Sequence, residues 1–240
     1  MFNTLRDDFE RTIDSIRHRL GAVPIPVQLP IGAEDQFAGV VDLIEERAWF
    51  FERTAAPGEL REGPIPQSML EQVASVREEM VELVSENDDA LLEQYLAGEV
   101  PTPEELKAGM RRVTIANRAV PVICGSALQS LGVQLMLDAV IDYLPSPNDV
   151  PAVTGIHPQT NASIERPADE EAPFAALAFK VVTDPHVGRL VYFRVYSGTI
   201  KAGMTVYNAT KGVRERMGRI LLMHANHRED VESIHAGQIA

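Results

Sequence analysis

The chain has 240 residues, 45% hydrophobic and 24% charged, so it is long enough to bury a core and has the composition of an ordinary globular protein. Its single cysteine, Cys124, excludes an intrachain disulfide and argues against a cysteine-based metal site. The sequence predicts neither a membrane-spanning helix, which needs about 18 uninterrupted apolar residues, nor a secretory signal.

The net charge of −13 is concentrated in one segment. Residues 34–105 contain 19 acidic and 4 basic residues, a net charge of −15. Residues 173–240 contain 9 basic and 5 acidic residues, a net charge of +4. An acidic surface disfavours nucleic acid, whereas the basic C-terminal part is compatible with it.

The first third of the chain mixes one helix with several strands. Apolar residues at helical spacing predict a helix over Phe9–Leu20, ended by Gly21. The prolines of Val23–Ile31 predict an extended edge strand, because proline cannot donate to a central ladder. Gly39–Glu52 predicts two strands joined by a charged turn, and a loop rich in proline and glycine follows at Pro57–Pro66.

Three helices are predicted next, over Gln67–Ser85, Asp88–Leu96 and Pro101–Asn117. The last opens on Thr102, Pro103, Glu104 and Glu105, the order of an N-cap, a first-turn proline and first-turn carboxylates. The continuous apolar run Ala119–Ala127 then predicts a strand of a parallel sheet, and a helix follows over Leu131–Leu144.

A proline-rich stretch after this helix separates two kinds of pattern. Residues 1–152 are predicted to be α/β with an acidic insert at about 34–105, and residues 153–172 are predicted to be a linker. Residues 173–240 are predicted to be all β, a small barrel or sandwich. The predicted strands are Phe174–Thr183, Arg189–Ser197, Met204–Asn208 and Gly212–Met223.

The turn after Cys124 is the first candidate binding element. Ligands of doubly wound sheets lie outside the carboxyl ends of the strands, and small residues at Gly125, Ser126 and Ala127 let the backbone approach a planar ligand. By shape alone, an ordinary strand-to-helix turn is the simpler interpretation. His224, His227 and His235 lack the spacing of a closed metal site, so no metal ligand is predicted.

Seven basic residues of the all-β part suit phosphate backbones, although solvated surface charge is the simpler interpretation. They are Arg189, Arg194, Lys201, Lys211, Arg214, Arg216 and Arg219.

Several stretches together carry a family resemblance over nearly the whole chain. They read RTIDSIRHRLGAVPIPVQLPIGAEDQFAGVVDLIE, VPVICGSAL, DYLPSPNDVPA, AFKVVTDPHVGRLVYFRVYSGTIKAGMTVYN and MHANHRE. In this wording the chain resembles bacterial-type elongation factor G, a translational GTPase. The implied fold is part of a P-loop GTPase domain with an acidic α+β insert, followed by an incomplete β-barrel of the translation-factor second-domain type.

The resemblance also implies functional roles. Ser126, Ala127 and Leu128 correspond to the loop whose backbone recognises guanine, with GTP or GDP and Mg²⁺ as the ligands of the intact family. The acidic insert corresponds to the part that faces the large-subunit stalk proteins of the ribosome, and the barrel to the part that contacts small-subunit rRNA. The implied location is the cytoplasm, and the implied activity is GTP hydrolysis that drives movement of transfer and messenger RNA.

The sequence departs from the family at the phosphate end of the nucleotide site. The loop GxxxxGK[ST] occurs nowhere in the 240 residues, and the switch segments and the catalytic histidine are missing. Asn3 stands roughly where the aspartate of the NKxD motif belongs, and an amide cannot form that aspartate's charged pair with guanine. We therefore expect an internal fragment that has no catalytic residue and binds neither GTP nor GDP well.

Two other functions stay open: a non-enzymatic module that binds the ribosome or its stalk, and a fragment of a related translational GTPase of the release or ribosome-protection type. For the fragment we expect low solubility or oligomerisation. Missing strands would expose apolar faces on the helices Phe9–Leu20 and Leu131–Leu144, and would leave unpaired edges in the barrel.

Overall fold

A computed structural model describes residues 6–52, 59–157, 159–184, 188–224 and 227–240. The chain divides into two compact units, Met1–Leu144 (unit 1) and Pro145–Ala240 (unit 2). Asn3, the position compared with the NKxD motif, lies outside the described residues.

The described strands of unit 1 form two sheets. They are β1 (Pro24–Pro26), β2 (Gln28–Ile31), β3 (Gly39–Asp42), β4 (Arg47–Phe51), β5 (Leu60–Gly63) and β6 (Val120–Val122). β2, β3, β4 and β5 follow one another in an antiparallel sheet, which places the proline-containing β2 at an edge as predicted. β1 and β6 pair in parallel, with Ile25 opposite Pro121, which confirms the parallel pairing expected of the apolar run Ala119–Ala127.

The helices of unit 1 agree with the predicted ones to within a few residues. They are α1 (Arg6–Leu20), α2 (Leu70–Asn87), α3 (Asp89–Leu96), α4 (Pro103–Ile115) and α5 (Val133–Tyr143). At the start of α4, the Thr102 hydroxyl accepts from the Glu105 amide and the Glu105 carboxylate accepts from the Thr102 amide. This reciprocal capping box confirms the predicted N-terminus.

The core of unit 1 lies between its helices and sheets. Its fully buried side chains include Ile25, Leu29, Leu43, Met80 and Leu106. The helical periodicity of α2 and α4 and the apolar strands therefore meet in one cluster, which buries the acidic segment's apolar faces.

The described part of unit 2 is all β, and its strands form two-stranded antiparallel sheets. They are β7 (Val153–Ile156), β8 (Ser163–Arg166), β9 (Ala175–Asp184), β10 (Gly188–Ser197), β11 (Thr199–Lys201), β12 (Thr205–Asn208), β13 (Val213–Arg216), β14 (Ile220–His224), β15 (His227–Val231) and β16 (Ser233–His235). The pairs are β7 with β8, β9 with β10, β11 with β16, β12 with β13, and β14 with β15.

β10 lies at the centre of unit 2. Phe193 and Val195 of this strand pack in the buried core with Ile200, Ile220 and Ile234. Beyond β9, β10 also bonds to the last residues of the chain, since the Phe193 amide donates to Ala240 O at 2.8 Å and the Val195 amide donates to Gln238 O at 2.9 Å.

Several strands were not predicted. β5 lies within the predicted loop Pro57–Pro66, because its edge position lets the charged sequence LREG pair with β4. Residues 153–172, the predicted linker, contain the β7–β8 pair. The predicted strand Gly212–Met223 is divided into β13 and β14 around Gly218, where the Met217 amide turns away to bond Met204 O at 2.8 Å.

The exposed apolar face predicted for two helices is present on only one of them. α1 buries Ile13 and packs Phe9 against the core. α5 exposes a row of apolar side chains, of which Ile141 is 75% exposed. The others are Met136, Leu137 and Val140, with Leu144 directly after the helix.

We expect this face of α5 to make the chain self-associate, because a contiguous exposed apolar row favours association. The double substitution Leu137→Glu, Ile141→Lys should raise the monomer fraction at micromolar concentration several-fold, measured by size-exclusion chromatography with light scattering. Leu70→Glu, at another exposed leucine, serves as the control and should leave the distribution unchanged. A monomeric unmodified chain would contradict the expectation.

Candidate functional site

The loop from Cys124 to Gly132 follows β6 and leads into α5. Its first residue is held by Gln28, which is buried and whose Oε1 accepts from the Cys124 amide at 3.1 Å. Ser126 and Leu131 form a bridge in which each amide donates to the other's carbonyl, at 2.9 and 3.0 Å. Leu131 is buried against Val40 and Phe51, so the base of the loop is anchored in the fold.

The tip of this loop presents the three residues singled out from the sequence. Ser126 is half-buried, while Ala127 and Leu128 are exposed, Leu128 to 80%. The amides of Gln129 and Ser130 turn back to Ser126 O and Ala127 O, both at 3.2 Å. Within the described residues, the Ala127 and Leu128 amides donate to no backbone carbonyl, so two donors remain for the carbonyl oxygen of a planar ligand.

The tight turn at the start of α5 explains why a glycine stands at position 132. Gly132, the N-cap of α5, has φ +75°, and a Cβ there would lie 3.1 Å from Cys124 O. Glycine therefore satisfies both the left-handed conformation and the close approach of the backbone. Its carbonyl accepts from the Met136 amide at 3.0 Å, which starts the helix directly after the exposed tip.

Burial of Cys124 gives a test of how closed the base of the loop is. Burial raises the pKa of the Cys124 thiol to about 12, from an ordinary value of 9.0. Since the thiolate is the nucleophile, we expect the folded chain at pH 8 to react with a disulfide reagent more than about tenfold more slowly than the chain in concentrated urea. Gln28→Ala, which removes the Cys124 amide's partner, should give an intermediate rate. Folded and unfolded rates within tenfold of each other would contradict a closed base.

A small charged cavity of about 110 Å³ lies beside Gln28 and Ile123 in unit 1, lined mainly by residues of β3, β4, α4 and α5. Lys107 Nζ lies 3.2 Å from Glu45 Oε1 and 3.7 Å from Asp142 Oδ2. Burial lowers the pKa of Lys107, but the hydrogen bond with Glu45 and the charge of Asp142 outweigh it, so the pKa is raised. The sequence interpretation missed this cluster because its members are far apart in the chain.

Burial raises the pKa of Asp42, another residue of the cavity, although its Oδ1 accepts from the amides of Ile44 and Glu45, both at 2.9 Å. Burial also raises the pKa of Tyr143. The ion pairs of Lys107 with Glu45 and Asp142 join the β3–β4 turn to α4 and α5. Together with Asp42 and Tyr143 they form a polar lining that stabilises the fold.

Among the described basic residues of unit 2, some form ion pairs and others do not. Lys211 Nζ lies 3.3 Å from Glu215 Oε1, and Arg219 Nη1 lies 3.8 Å from Asp230 Oδ2. Arg194 instead lies over the ring of Tyr196, with its Cζ 5.6 Å from the ring centroid. The sequence interpretation did not name Tyr192 and Tyr196 as candidate site residues. The alternation of side chains along a strand would have placed both tyrosines on one face of β10 with Arg194.

Two of the three histidines named from the sequence, His224 and His235, lie beside carboxylates, and His227 is the cross-strand partner of His224. His235 Nδ1 lies 2.9 Å from Glu170 Oε1, and His224 Nε2 lies 3.6 Å from Glu229 Oε2. Among the described residues, no group of three or more histidine, cysteine or acidic side chains is placed to hold a metal ion. In the same described ranges, no helix is long and apolar enough to span a membrane.

Comparison with known proteins adds two findings. Residues 173–240 match the family model for elongation factor G domain 2. A crystal structure of a protein from Thermus thermophilus matches with a TM-score of 0.75 and 27% sequence identity, and the match covers 96% of this chain. The chain spans 31% of the length of that structure. The predicted resemblance to elongation factor G is confirmed, since residues 173–240 match the model of its domain 2.

Proposed function

We propose that this chain is part of a translation elongation factor of the G type, whose intact form binds and hydrolyses GTP to move transfer and messenger RNA through the ribosome. The match of residues 173–240 to elongation factor G domain 2 carries the proposal. The structural match over 96% of the chain supports extending it to unit 1.

Residues 1–152 would be the C-terminal part of a P-loop GTPase domain. The parallel pair β1–β6 followed by α5 supports this assignment, because a parallel strand that leads into a helix is the unit of a doubly wound sheet. The loop at Ser126, Ala127 and Leu128 lies at the carboxyl end of β6, where such sheets bind ligands. The two amides without a backbone acceptor at its tip suit the guanine carbonyl.

The chain by itself should bind GTP and GDP weakly. Most of the binding energy in P-loop proteins comes from the phosphates and Mg²⁺, and the 240 residues contain no GxxxxGK[ST] loop. Isothermal titration calorimetry with Mg²⁺ and GTP should detect no binding below about millimolar concentration. A micromolar dissociation constant would refute this part of the proposal.

The ribosomal partners are proposed from charge. The acidic insert at 34–105 exposes carboxylates along α2 and α3, including Glu78, Glu82 and Asp89, and these would face a stalk protein. Residues 173–240 of unit 2 have an excess of basic residues and would face small-subunit rRNA. Both contacts would weaken with salt, because exposed charges are screened over a Debye length of about 8–10 Å at physiological ionic strength.

Co-sedimentation with purified 70S ribosomes tests the proposal at low and at physiological salt. We expect the chain to pellet with ribosomes at low salt and to be released as salt rises. The variant Glu78→Gln, Glu82→Gln should weaken binding to the isolated stalk protein, whereas Glu99→Gln, which lies after α3, should have little effect. No ribosome binding at low salt would overturn the proposal.

A non-enzymatic ribosome- or stalk-binding module is the second candidate. The absence of a GxxxxGK[ST] loop from the 240 residues favours it. Ribosome binding that depends on GTP or GDP would exclude this candidate. A related translational GTPase of the release or ribosome-protection type is a further assignment, and the acidic insert favours elongation factor G over it.

A further inference from the structure

We propose that one face of the β9–β10 hairpin binds single-stranded RNA by stacking bases on its aromatic and guanidinium groups. This tyrosine–arginine face consists of Lys180, Tyr192, Arg194 and Tyr196. The proposal rests on the proposed function, since it names the form of RNA and the residues that a ribosome-binding unit 2 would use.

Strand geometry puts the three residues of β10 on one side. Burial alternates along β10, where Phe193, Val195 and Ser197 are buried and Tyr192, Arg194 and Tyr196 between them are half-buried. Side chains of a strand point alternately to opposite faces, so the second set faces away from the core of unit 2. Lys180 joins this face because it is the cross-strand partner of Tyr192.

The cations of this face lie on its rings. Lys180 Nζ is 5.8 Å from the centroid of Tyr192, and Arg194 Cζ is 5.6 Å from the centroid of Tyr196. Both distances are within the range of a cation–π contact, about 6 Å. Each ring is therefore paired with a positive charge, which combines a stacking surface with a group that attracts phosphate.

Within the part of the chain that the structure describes, neither cation has an acidic partner. Among the described residues, Lys180 and Arg194 form no ion pair, and Arg194 Nε is buried without an acceptor. The sequence of β9 and β10 contains one acidic residue, Asp184, at the end of the hairpin. The face is thus basic and aromatic, which complements a polyanion that has exposed rings.

Single-stranded RNA fits this face better than a duplex. Bases of a single strand can stack on tyrosine rings and on the planar guanidinium, whereas the bases of a duplex are stacked on one another and unavailable. Tyr192 and Tyr196 are four residues apart, about 13 Å along a strand. At about 3.4 Å per stacked nucleotide, this length corresponds to roughly four nucleotides.

Fluorescence anisotropy of the full chain with a labelled single-stranded 12-mer oligoribonucleotide tests the proposal. Stacking on one aromatic residue corresponds to about a 5- to 150-fold change in affinity. We expect Tyr192→Ala, Tyr196→Ala to weaken binding at least about tenfold, and Tyr192→Phe, Tyr196→Phe to retain it. Lys180→Gln should weaken binding less and lower the slope of log affinity against log salt by about 0.7.

Tyr207→Ala is the matched control, because Tyr207 is an exposed tyrosine of unit 2 with no described cation over its ring. It should leave RNA affinity unchanged. Tyr192→Leu, Tyr196→Leu keeps apolar bulk without a ring, and it replaces the alanine pair if circular dichroism shows that pair to be unfolded. Equal affinity of the leucine pair and the unmodified chain, or equal affinity for duplex and single strand, overturns the proposal.

Ribosome co-sedimentation of the same variants separates this inference from the proposed function. If the unmodified chain and the leucine pair pellet equally with ribosomes, the stacking face is wrong and the ribosomal function stands. If the unmodified chain binds the oligoribonucleotide and fails to pellet, the stacking face stands and the proposed function is wrong.

Discussion

Replacing Asp88 with alanine is expected to lower the free energy of unfolding of unit 1 by about 2–4 kcal/mol. Asp88 is only 6% exposed and has two structural roles. As the N-cap of α3, its Oδ1 accepts from the Leu91 amide at 3.1 Å. It also accepts two hydrogen bonds from Arg112 of α4, at 2.6 and 2.8 Å, and so joins the two helices.

The magnitude follows from these roles. Losing an N-cap costs about 1 kcal/mol, and losing hydrogen bonds to a charged group costs about 1.5–3 kcal/mol. The Arg112 side chain is 50% exposed, so it regains water when its partner is removed. The loss therefore stays below the upper end of the range of about 3–5 kcal/mol for a broken, fully buried pair.

Urea unfolding followed by the fluorescence of Trp49, the single tryptophan, reports unit 1 alone. Asp89→Ala is the matched control, because Asp89 is the exposed neighbour in the first turn of α3, and it should cost less than about 1 kcal/mol. Asp88→Asn keeps an acceptor for the cap and loses the charge, so its loss in free energy of unfolding should lie between those of Asp89→Ala and Asp88→Ala. Equal losses for the Asp88 and Asp89 alanine variants would contradict the double role.

The same pair predicts a pH dependence. The hydrogen bond from Arg112 holds the pKa of Asp88 below its ordinary value of 3.8. A depressed carboxyl pKa contributes stability that is present above the ordinary pKa and is lost as pH falls through the lower folded value. The difference in stability between the unmodified chain and Asp88→Ala should therefore be constant at neutral pH and shrink below about pH 4.

Local signals explain which elements could be predicted. The Thr102–Pro103–Glu105 start of α4, the αL glycines and the apolar periodicity of α2 are all read within a few residues of chain. The acidic insert likewise follows from counting charges. Pairings between distant segments leave no such trace: β5 has little strand character of its own and exists because β4 offers it hydrogen bonds.

The same distinction applies to the candidate site. The sequence pattern and the family resemblance predicted that Ser126, Ala127 and Leu128 lie in a loop after a strand. In the structure that loop follows β6. Their guanine-recognition role stays a prediction. The sequence did not indicate Gln28 as the residue that holds the loop, because Gln28 is 96 positions away from Cys124. Long-range polar contacts of this kind depend on tertiary packing, which periodicity does not encode.

Replacing Gly198 with alanine is expected to destabilise unit 2 by about 2–5 kcal/mol, for two independent reasons. Gly198 has φ +71°, a left-handed conformation that costs an L side chain about 1–3 kcal/mol in strained settings. A Cβ there would also lie 2.7 Å from the backbone of Phe174 and closer still to Ala172 O, and both approaches are too close for a non-bonded carbon atom. Backbone atoms cannot rotate away as a flexible side chain can, and overpacking of this kind adds about 1–3 kcal/mol.

The close approach at Gly198 has a structural purpose in unit 2. Its amide donates to Asp169 O at 2.8 Å, and its carbonyl accepts from the Ala236 amide at 3.0 Å. The residue therefore joins the segment before β9 to the segment after β16, at the end of the central strand β10. Displacing the Gly198 backbone should therefore destabilise β9, β10 and the C-terminal residues together. The loss of stability should spread cooperatively over unit 2.

Hydrogen exchange measured by mass spectrometry on peptides of unit 2 resolves the effect, because Trp49 does not report this unit. Gly212→Ala separates the two causes: Gly212 has φ +70° with its nearest atom at 3.9 Å, so it carries conformational strain alone. Gly218→Ala, with no atom within 4 Å and no positive φ, should change little. If Gly198→Ala costs no more than Gly212→Ala, the backbone of Ala172 and Phe174 accommodates a Cβ and conformation alone accounts for the glycine. A larger loss at Gly198, spread over β9, β10 and β16, would show that the backbone approach holds unit 2 together.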